Sequence, residues 1–468
     1  MPSHLPQHVP AADVAALRAA VARRFADTVA ELTRLVAIPG IAWPSFPPAE
    51  IERSAEAVLE LVRDAGIQDA EILRAPRPDG TEGGPAIVAR HAAEPGQPTV
   101  LLYAHHDVQP PGDLDLWDTE PFIATERDGR LYGRGSADDK AGILVHLAAF
   151  RALSEVLVDR LGIGVTLFIE GEEEFGSPSF RAFLEAHRER LAADVIVVAD
   201  SSNWAVGRPA LTASLRGLVD GTFEVAVLGH SVHSGVFGGP VLDAPTILAR
   251  LIATLHDDAG NVAIEGLVAH DDADLDYPEE QYRQDASVLE GVRLAGTGSI
   301  AARLWRRPAL SIIGIDVPAV DVASNTIQAR ARAKFSLRLA PGQDPDAAMD
   351  CVREHLEAHV PFGAHLTFSP KEKGSAYQAD TGSAAAGTVL WALGEAWGTP
   401  AVHTGMGGSI PFIADLKEVF PAAEVLITGV EDPDSRAHSA NESLHLGDFE
   451  KCIVAESLLL AGLHRDRV

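Results

Sequence analysis

The sequence predicts an α/β fold: a doubly wound, mostly parallel sheet interrupted by an inserted α+β segment. Three observations carry this. First, Thr99–Ala104, Gly164–Ile169 and Asp194–Ala199 are nearly unbroken apolar runs, the pattern of strands covered on both faces. Second, stretches of helical periodicity, Ala141–Leu157 and Pro178–Leu191, separate them, and strand alternating with helix builds a parallel layer. Third, near Leu211 the rhythm changes. Gly221–Leu228 and Ala329–Leu339 alternate apolar with polar residues, as half-exposed strands do, and Ala364–Ser369 also reads as a strand.

Taken in order, Ala11–Val36 places Val14, Leu17, Val21, Phe25, Val29, Leu32 and Leu35 at helical spacing, and the Pro39-Gly40 pair stops the helix. A second helix, about Pro48–Ala65, carries Ile51, Val58, Leu61 and Val62 on one face. Short strands follow at Ala70–Leu73 and Ala86–Ala89, then the three buried runs and their helices. The inserted part adds helices at about Ala244–His256 and Pro345–His359. Between them, Asp257–Leu294 is polar, acidic and poorly periodic, and reads as loops and short helices. After Gly374-Ser375 the chain returns to helix (Ala384–Trp397), strand (Glu424–Thr428) and a last helix from about Leu446 to Leu463. No internal repeat is visible.

Composition narrows the function. The 468 residues carry a formal charge of −29. That opposes binding to nucleic acid or to an anionic membrane, both of which need basic patches. Two cysteines, Cys351 and Cys452, form no CxxC and read as buried apolar thiols in a reducing compartment. Met1–Pro10 lacks a basic stretch leading into an apolar run, so no signal peptide is expected. No segment is apolar enough to span a bilayer. The expectation is a cytoplasmic protein.

Chemistry gathers at the strand ends. The run ending at Ile169 enters Glu170-Gly171-Glu172-Glu173-Glu174. Carboxylates so close raise one another's pKa, and a bound dication would reverse that. Past the other strand ends lie His105 and Asp107, Asp138 and Asp139, Asp200, and His438. In open α/β sheets the ligand crevice lies at these ends. Imidazoles with carboxylates make a mixed N/O set suited to zinc, manganese or cobalt rather than calcium. A carboxylate shared between two ions would permit a two-metal site. His106, His146, His230 and His403 read as structural or surface residues.

The segments Ala104-His105-His106-Asp107-Val108, Gly133-Arg134-Gly135-Ser136-Ala137-Asp138-Asp139-Lys140, Glu173-Glu174-Phe175-Gly176-Ser177, Asp200 and Ala437-His438-Ser439 resemble, in order and spacing, the M20 metallopeptidase family. The likeness is nearest its dipeptidase branch of carnosinase-like enzymes and runs from about residue 20 to the C-terminus. It implies a catalytic domain in two parts, residues 1–212 and 378–468, around an inserted lid and dimerisation domain, residues 213–377. It implies two divalent ions per subunit, zinc first, with manganese or cobalt as alternatives. His105 and Asp200 would hold one ion, Glu174 and His438 the other, and Asp138 would bridge them. Asp107 would bond the second ring nitrogen of His105. Glu173 would be the general base acting on a water between the ions. A cis peptide between Asp138 and Asp139 is implied too.

Ser231-Val232-His233-Ser234-Gly235-Val236-Phe237-Gly238-Gly239 is similar to the family's lid motif, whose histidine reaches a partner subunit's site and polarises the scissile carbonyl; this implies a homodimer. Asn325, Arg338 and the Gly407-Gly408-Ser409-Ile410-Pro411 loop match substrate-binding positions. Arg338, Asn325 and Ser409, with the loop backbone at Gly408, would hold the substrate carboxylate. Met406 departs from the pattern before that loop, and Gln328-Ala329 replaces a common Ile-Pro pair. The function implied is amide hydrolysis of dipeptides. The alternative is an N-acyl-amino-acid deacylase or desuccinylase of the same family, with an acylated amino acid as the small-molecule substrate.

Overall fold

The computed structural model describes residues 9–158, 160–273, 275–407 and 411–464. The chain divides by its contacts into two compact units. One is Met1–Ala213 with Ala379–Thr404 and Asp415–Val468; the other is Ser214–Gln378 with Gly405–Ala414. The sequence reading left the stretch after Thr404 with the first unit, whereas the contacts draw ten residues of it into the second.

In the first unit the sheet order is Asp69–Leu73, Ala86–His91, Gly164–Glu170, Thr99–His105, Val195–Val198, Glu424–Ile427, Ala210–Leu215. The middle four strands are parallel; the outer ones join antiparallel. Alternation within Thr99–His105 sorts the two faces. Leu102 and Ala104 point into a core shared with helices Ala11–Val36, Lys140–Val156, Ala384–Trp397 and Leu446–Leu463. Tyr103 faces the other way, edge-on to Phe168 at 5.5 Å, and Phe168 stacks on Phe183 of the Phe180–Ala186 helix at 4.9 Å. Such ring pairs add about 0.5–1.5 kcal/mol each beyond their buried area. Lys140–Val156 is buried almost all round because it lies between the sheet and its fellow helices.

Order along the sheet decides where a site can form. From Thr99–His105 the chain crosses by the Lys140–Val156 helix to Gly164–Glu170 on one side. It then returns by helices on the other face to Val195–Val198 on the opposite side. The winding direction therefore reverses at the carboxyl end of Thr99–His105, which opens a crevice beside His105.

The second unit is a four-stranded antiparallel sheet in the order Ala309–Asp316, Arg330–Leu339, Gly217–Ala226, His365–Gly374. Helices Ala244–Ala253 and Pro345–His359 cover one face around Phe223, Phe335 and Leu337.

Several local expectations shift. The helix read over 178–191 breaks at His187 into Phe180–Ala186 and Arg188–Leu191. The strand Ala309–Asp316, the helix Ile300–Trp305 and the small sheet of Thr125–Arg127, Arg130–Tyr132 and Ser443–His445 had not been read at all. Cys452 is buried as expected, but Cys351 is only half-buried; both are free thiols. No helix among the described residues is long and apolar enough to cross a membrane.

Candidate metal centre

His105 is the last residue of its strand, and both it and Asp107 are fully buried. Its Nε2 lies 3.1 Å from Asp138 Oδ1. Its Nδ1 lies 3.1 Å from the Asp107 carbonyl oxygen and 3.5 Å from Asp107 Oδ1. The Asp107 carboxylate makes its closer bonds elsewhere: Oδ1 accepts from the Glu173 amide and Oδ2 from the Glu174 amide, both at 3.1 Å. One side chain thus ties the His105 turn to the acidic loop.

Asp138 sits between two imidazoles. Its Oδ2 is 3.0 Å from His438 Nε2, opposite the contact of Oδ1 with His105. His438 Nε2 is also 3.2 Å from Glu174 Oε2, which accepts from Gln109 Nε2 at 2.6 Å. The Asp138–Asp139 peptide is cis. Potential ligand atoms of His105, Asp138 and Glu174 lie within 4.8 Å of one another, as do those of His105, Glu173 and Asp200. The residues read from the strand ends therefore converge in one place in the first unit.

The electrostatics are those of a site built around positive charge. Burial pushes Glu174 up to about 7, Asp200 up to about 6, and Glu173, with Asp200 beside it, well above the carboxylate range. Asp138 is buried too, but the two imidazoles hold it well below its usual value. Bonds to Asp138 and Glu174 raise His438 to about 11. Burial works against a charged His105, yet Asp107 and Asp138 hold it well above an ordinary imidazole. Raised imidazoles facing raised acids mark a cluster suited to a cation, and a dication would keep the imidazoles neutral and the acids ionised. Glu174 Oε1 shows that a cation fits here: it is buried and has no hydrogen-bond partner among the described residues, a cost of about 1–3 kcal/mol for a neutral group and more for a charged one. A cation beside it would satisfy it.

Other acids in the Glu170–Glu174 knot have separate explanations. Glu172 is structural: it accepts from Arg77, from the Gly84 amide at 2.9 Å and from the Ser179 amide at 2.9 Å. Glu170 accepts from Tyr103 Oη at 2.7 Å, and burial raises it to about 8. Of the histidines set aside earlier, His106 bonds Ser54 and the Pro85 carbonyl oxygen, and His146 pairs with Glu456 at 2.8 Å. Gln109, Arg134, Glu442 and the half-buried Glu431 adjoin the site, and the sequence alone assigns them no role.

In the second unit, Val232–His233 pairs with Thr326–Ile327, which sets the exposed His233 beside Asn325; Ser234 donates to the Asn325 carbonyl oxygen from both its amide and its hydroxyl, at 3.0 and 2.9 Å. Arg338 lies near the far end of Arg330–Leu339. It neighbours Arg216, whose Nε donates to the Gly407 carbonyl oxygen at 3.3 Å. Gly408 and Ser409 lie outside the described residues.

Known proteins are similar to this chain. A cysteinylglycine-S-conjugate dipeptidase of Corynebacterium striatum is 34% identical over 87% of this chain and 89% of its own length. A Cys-Gly metallodipeptidase of Schizosaccharomyces pombe is 28% identical over 91% and 93%. The crystal structure of human carnosine dipeptidase 1 superposes with a TM-score of 0.75 at 25% identity, covering 96% of this chain and 98% of that one. The model of peptidase family M20/M25/M40 matches residues 101–461. With the strand order, the convergent acids and imidazoles and this match in agreement, the chain belongs to peptidase family M20/M25/M40.

Proposed function

We propose that the protein is a dipeptidase that works with two divalent cations, zinc foremost and manganese or cobalt otherwise. His105 and Asp200 hold one ion, Glu174 and His438 the other, and Asp138 stands between them. The observation that carries this is the Asp138 carboxylate, with one oxygen toward each imidazole and the unpartnered Glu174 oxygen beside it. When bound, the ions polarise the scissile carbonyl and lower the pKa of a water toward neutrality.

Glu173 has the remaining task. Its amide is anchored by Asp107, and its carboxylate reaches the same cluster as His105 and Asp200. There it takes the water's proton and hands it to the leaving amine. The ligand carboxylates cannot do this, because a bound cation keeps their pKa low. His233 polarises the carbonyl oxygen, and Asn325 helps to hold the substrate carboxylate. Arg338 clamps the terminal carboxylate as a bidentate partner, joined by Gly408 and Ser409.

Lengths in the second unit support a homodimer. Arg338 stands eight residues beyond Arg330 on one strand, roughly 26 Å away at about 3.3 Å per residue. Pairing continues back past Arg330 to Ala329, on the Asn325 side. A dipeptide spans about 7 Å. The second unit of one copy therefore cannot bring both His233 and Arg338 to a single substrate, and a partner copy supplies the missing half.

The test replaces Glu173 with Gln. The variant is expected to keep its metal, read by elemental analysis, and to lose about 10²–10⁴-fold in kcat. Retained turnover sinks the assignment. A panel of dipeptides set against acylated amino acids decides the substrate class; preference for the acylated compounds would replace the dipeptidase reading with a deacylase.

A further inference from the structure

We infer that Glu442, paired with Arg134, is a positioning residue that aims Asp138 and His438 at one point; the inference rests on the two-metal reading above. Glu442 is 0% exposed and Arg134 1%. Glu442 Oε2 accepts from Arg134 Nη1 at 2.6 Å and from the Gly135 amide at 3.1 Å. Its Oε1 accepts from the amides of Ala137 at 3.0 Å and Asp138 at 3.1 Å. One carboxylate therefore gathers three backbone amides of the turn that carries Asp138, and the last belongs to Asp138 itself. The Glu442 carbonyl oxygen adds a fourth tie, from the Gly133 amide at 3.0 Å.

Arg134 extends the clamp. Its Nη2 donates to the carbonyl oxygens of Ser439 at 3.2 Å and Pro110 at 3.4 Å, and its guanidinium lies over the Trp117 ring at 5.4 Å. Ser439 follows His438, and Pro110 lies just past His105 and Asp107. The pair thus touches three of the five segments that bring groups to the centre, those of His105, Asp138 and His438. Asn441 adds to it, accepting from the Asp118 amide at 2.9 Å and donating to the Leu116 carbonyl oxygen at 3.2 Å.

The His438 segment needs such a restraint. Arg436, His438 and Asn441 have φ of 55°, 62° and 63°, a left-handed region that side-chain-bearing residues leave unless their surroundings hold them. The His438 side chain is 59% exposed, so packing of the ring does not hold it. The hydrogen bonds of Glu442, Arg134 and Asn441 do, and all of them are complete without a cation. The clamp therefore shapes the centre before any ion arrives.

A carboxylate is required rather than any acceptor. Its two oxygens meet four donors, whereas an amide would turn an NH2 group against two of them. In Glu442→Gln the metal affinity, measured by chelator competition, is expected to fall about 10–100-fold. The visible absorption of the cobalt-loaded variant should change while its far-ultraviolet circular dichroism stays that of the parent. Glu442→Asp, which keeps the charge and shortens the arm, should show a smaller loss. Asp138→Asn is the reference. Parental affinity and spectrum in Glu442→Gln, with both lost in Asp138→Asn, overturn this inference alone. Parental metal binding in Asp138→Asn overturns the two-metal reading and the inference with it. A second measurement needs no variant: hydrogen exchange in the metal-stripped protein. Slow exchange at Gly135, Ala137 and Asp138 supports a clamp that precedes the metal, and exchange slowed only after zinc is added refutes it, whether or not Glu442→Gln folds.

Discussion

Asp107 spends both carboxylate oxygens on backbone amides, those of Glu173 and Glu174. Its own carbonyl oxygen steadies the His105 ring at 3.1 Å. Replacing it with Asn would set an NH2 group against one of the two amides and loosen the loop that carries both the proposed base and a proposed ligand. Asp107→Asn should fold normally, bind metal about 10–100-fold more weakly, and lose kcat as well; titration with metal and steady-state rates at saturating metal separate the two effects. Normal affinity and rate would mean the anchor is dispensable. At this scale the sequence is legible where residue type and place coincide: His105, Glu174 and Asp200 are metal-type residues just past apolar runs, whereas Asp138 stands out only by its motif. Glu442 was not legible. It lies in the same short motif as His438, yet its partners, Arg134 to Asp138, are some three hundred residues earlier. No local pattern says that a glutamate will accept distant amides. Glu172 misled in the opposite way, since its neighbours imply a shared site and its hydrogen bonds make it a structural brace.

Between elements, the His146–Glu456 pair links two helices. His146 Nδ1 is 2.8 Å from Glu456 Oε1, and Nε2 reaches the carbonyl oxygen of Tyr103 in the central strand at 3.0 Å. The ring is fully buried. Burial opposes its charge, but Glu456 outweighs that and raises His146 above its ordinary 6.5. A group whose folded pKa is raised gives its full stabilisation below its unfolded value and loses it as pH climbs through the folded one. The pair's contribution should therefore be complete below about pH 6.5 and fade above it. In His146→Gln that alkaline fall in melting temperature should flatten. His146→Ala, which leaves Glu456 buried without a partner, should cost about 3–5 kcal/mol. Equal pH slopes in parent and His146→Gln would show that the ring is neutral in the fold. Sequence reading succeeded with long elements, because the unbroken runs at Thr99 and Gly164 can only be strands covered on both faces. It failed with three-residue strands such as Arg130–Tyr132 and Ser443–His445, which are too short to show a period and exist because each pairs with the other. The Ala309–Asp316 strand shows no alternation because its register shifts between Ile312 and Gly314 and because Ile313 and Ile315 are apolar yet exposed.

At the scale of the whole molecule, that same strand bears on assembly. It lies at the edge of the second unit's sheet, with Ile313 54% and Ile315 51% exposed, and Val320 and Val322 beyond it more exposed still. Natural sheets blunt such edges or cover them, and a second copy, as in the proposed dimer, would be such a cover. If His233 serves the partner's centre, two disabled variants should repair one another. Glu173→Gln lacks the base and His233→Ala lacks the carbonyl donor, a loss of about 10²–10³-fold. In a mixed dimer, the centre of the His233→Ala chain keeps its Glu173 and receives the intact His233 of the Glu173→Gln chain. The other centre has neither. Random exchange makes half the dimers mixed, each with one competent centre of two, so activity should recover to about a quarter of the parent's. Unfolding and refolding the variants together ensures exchange, and sedimentation reports the dimer. Recovery demands both a dimer and action across it. A mixture no more active than its components would place His233 at its own subunit's centre or outside the reaction, and the roughly 26 Å between the two ends of the second unit's sheet would then need another explanation.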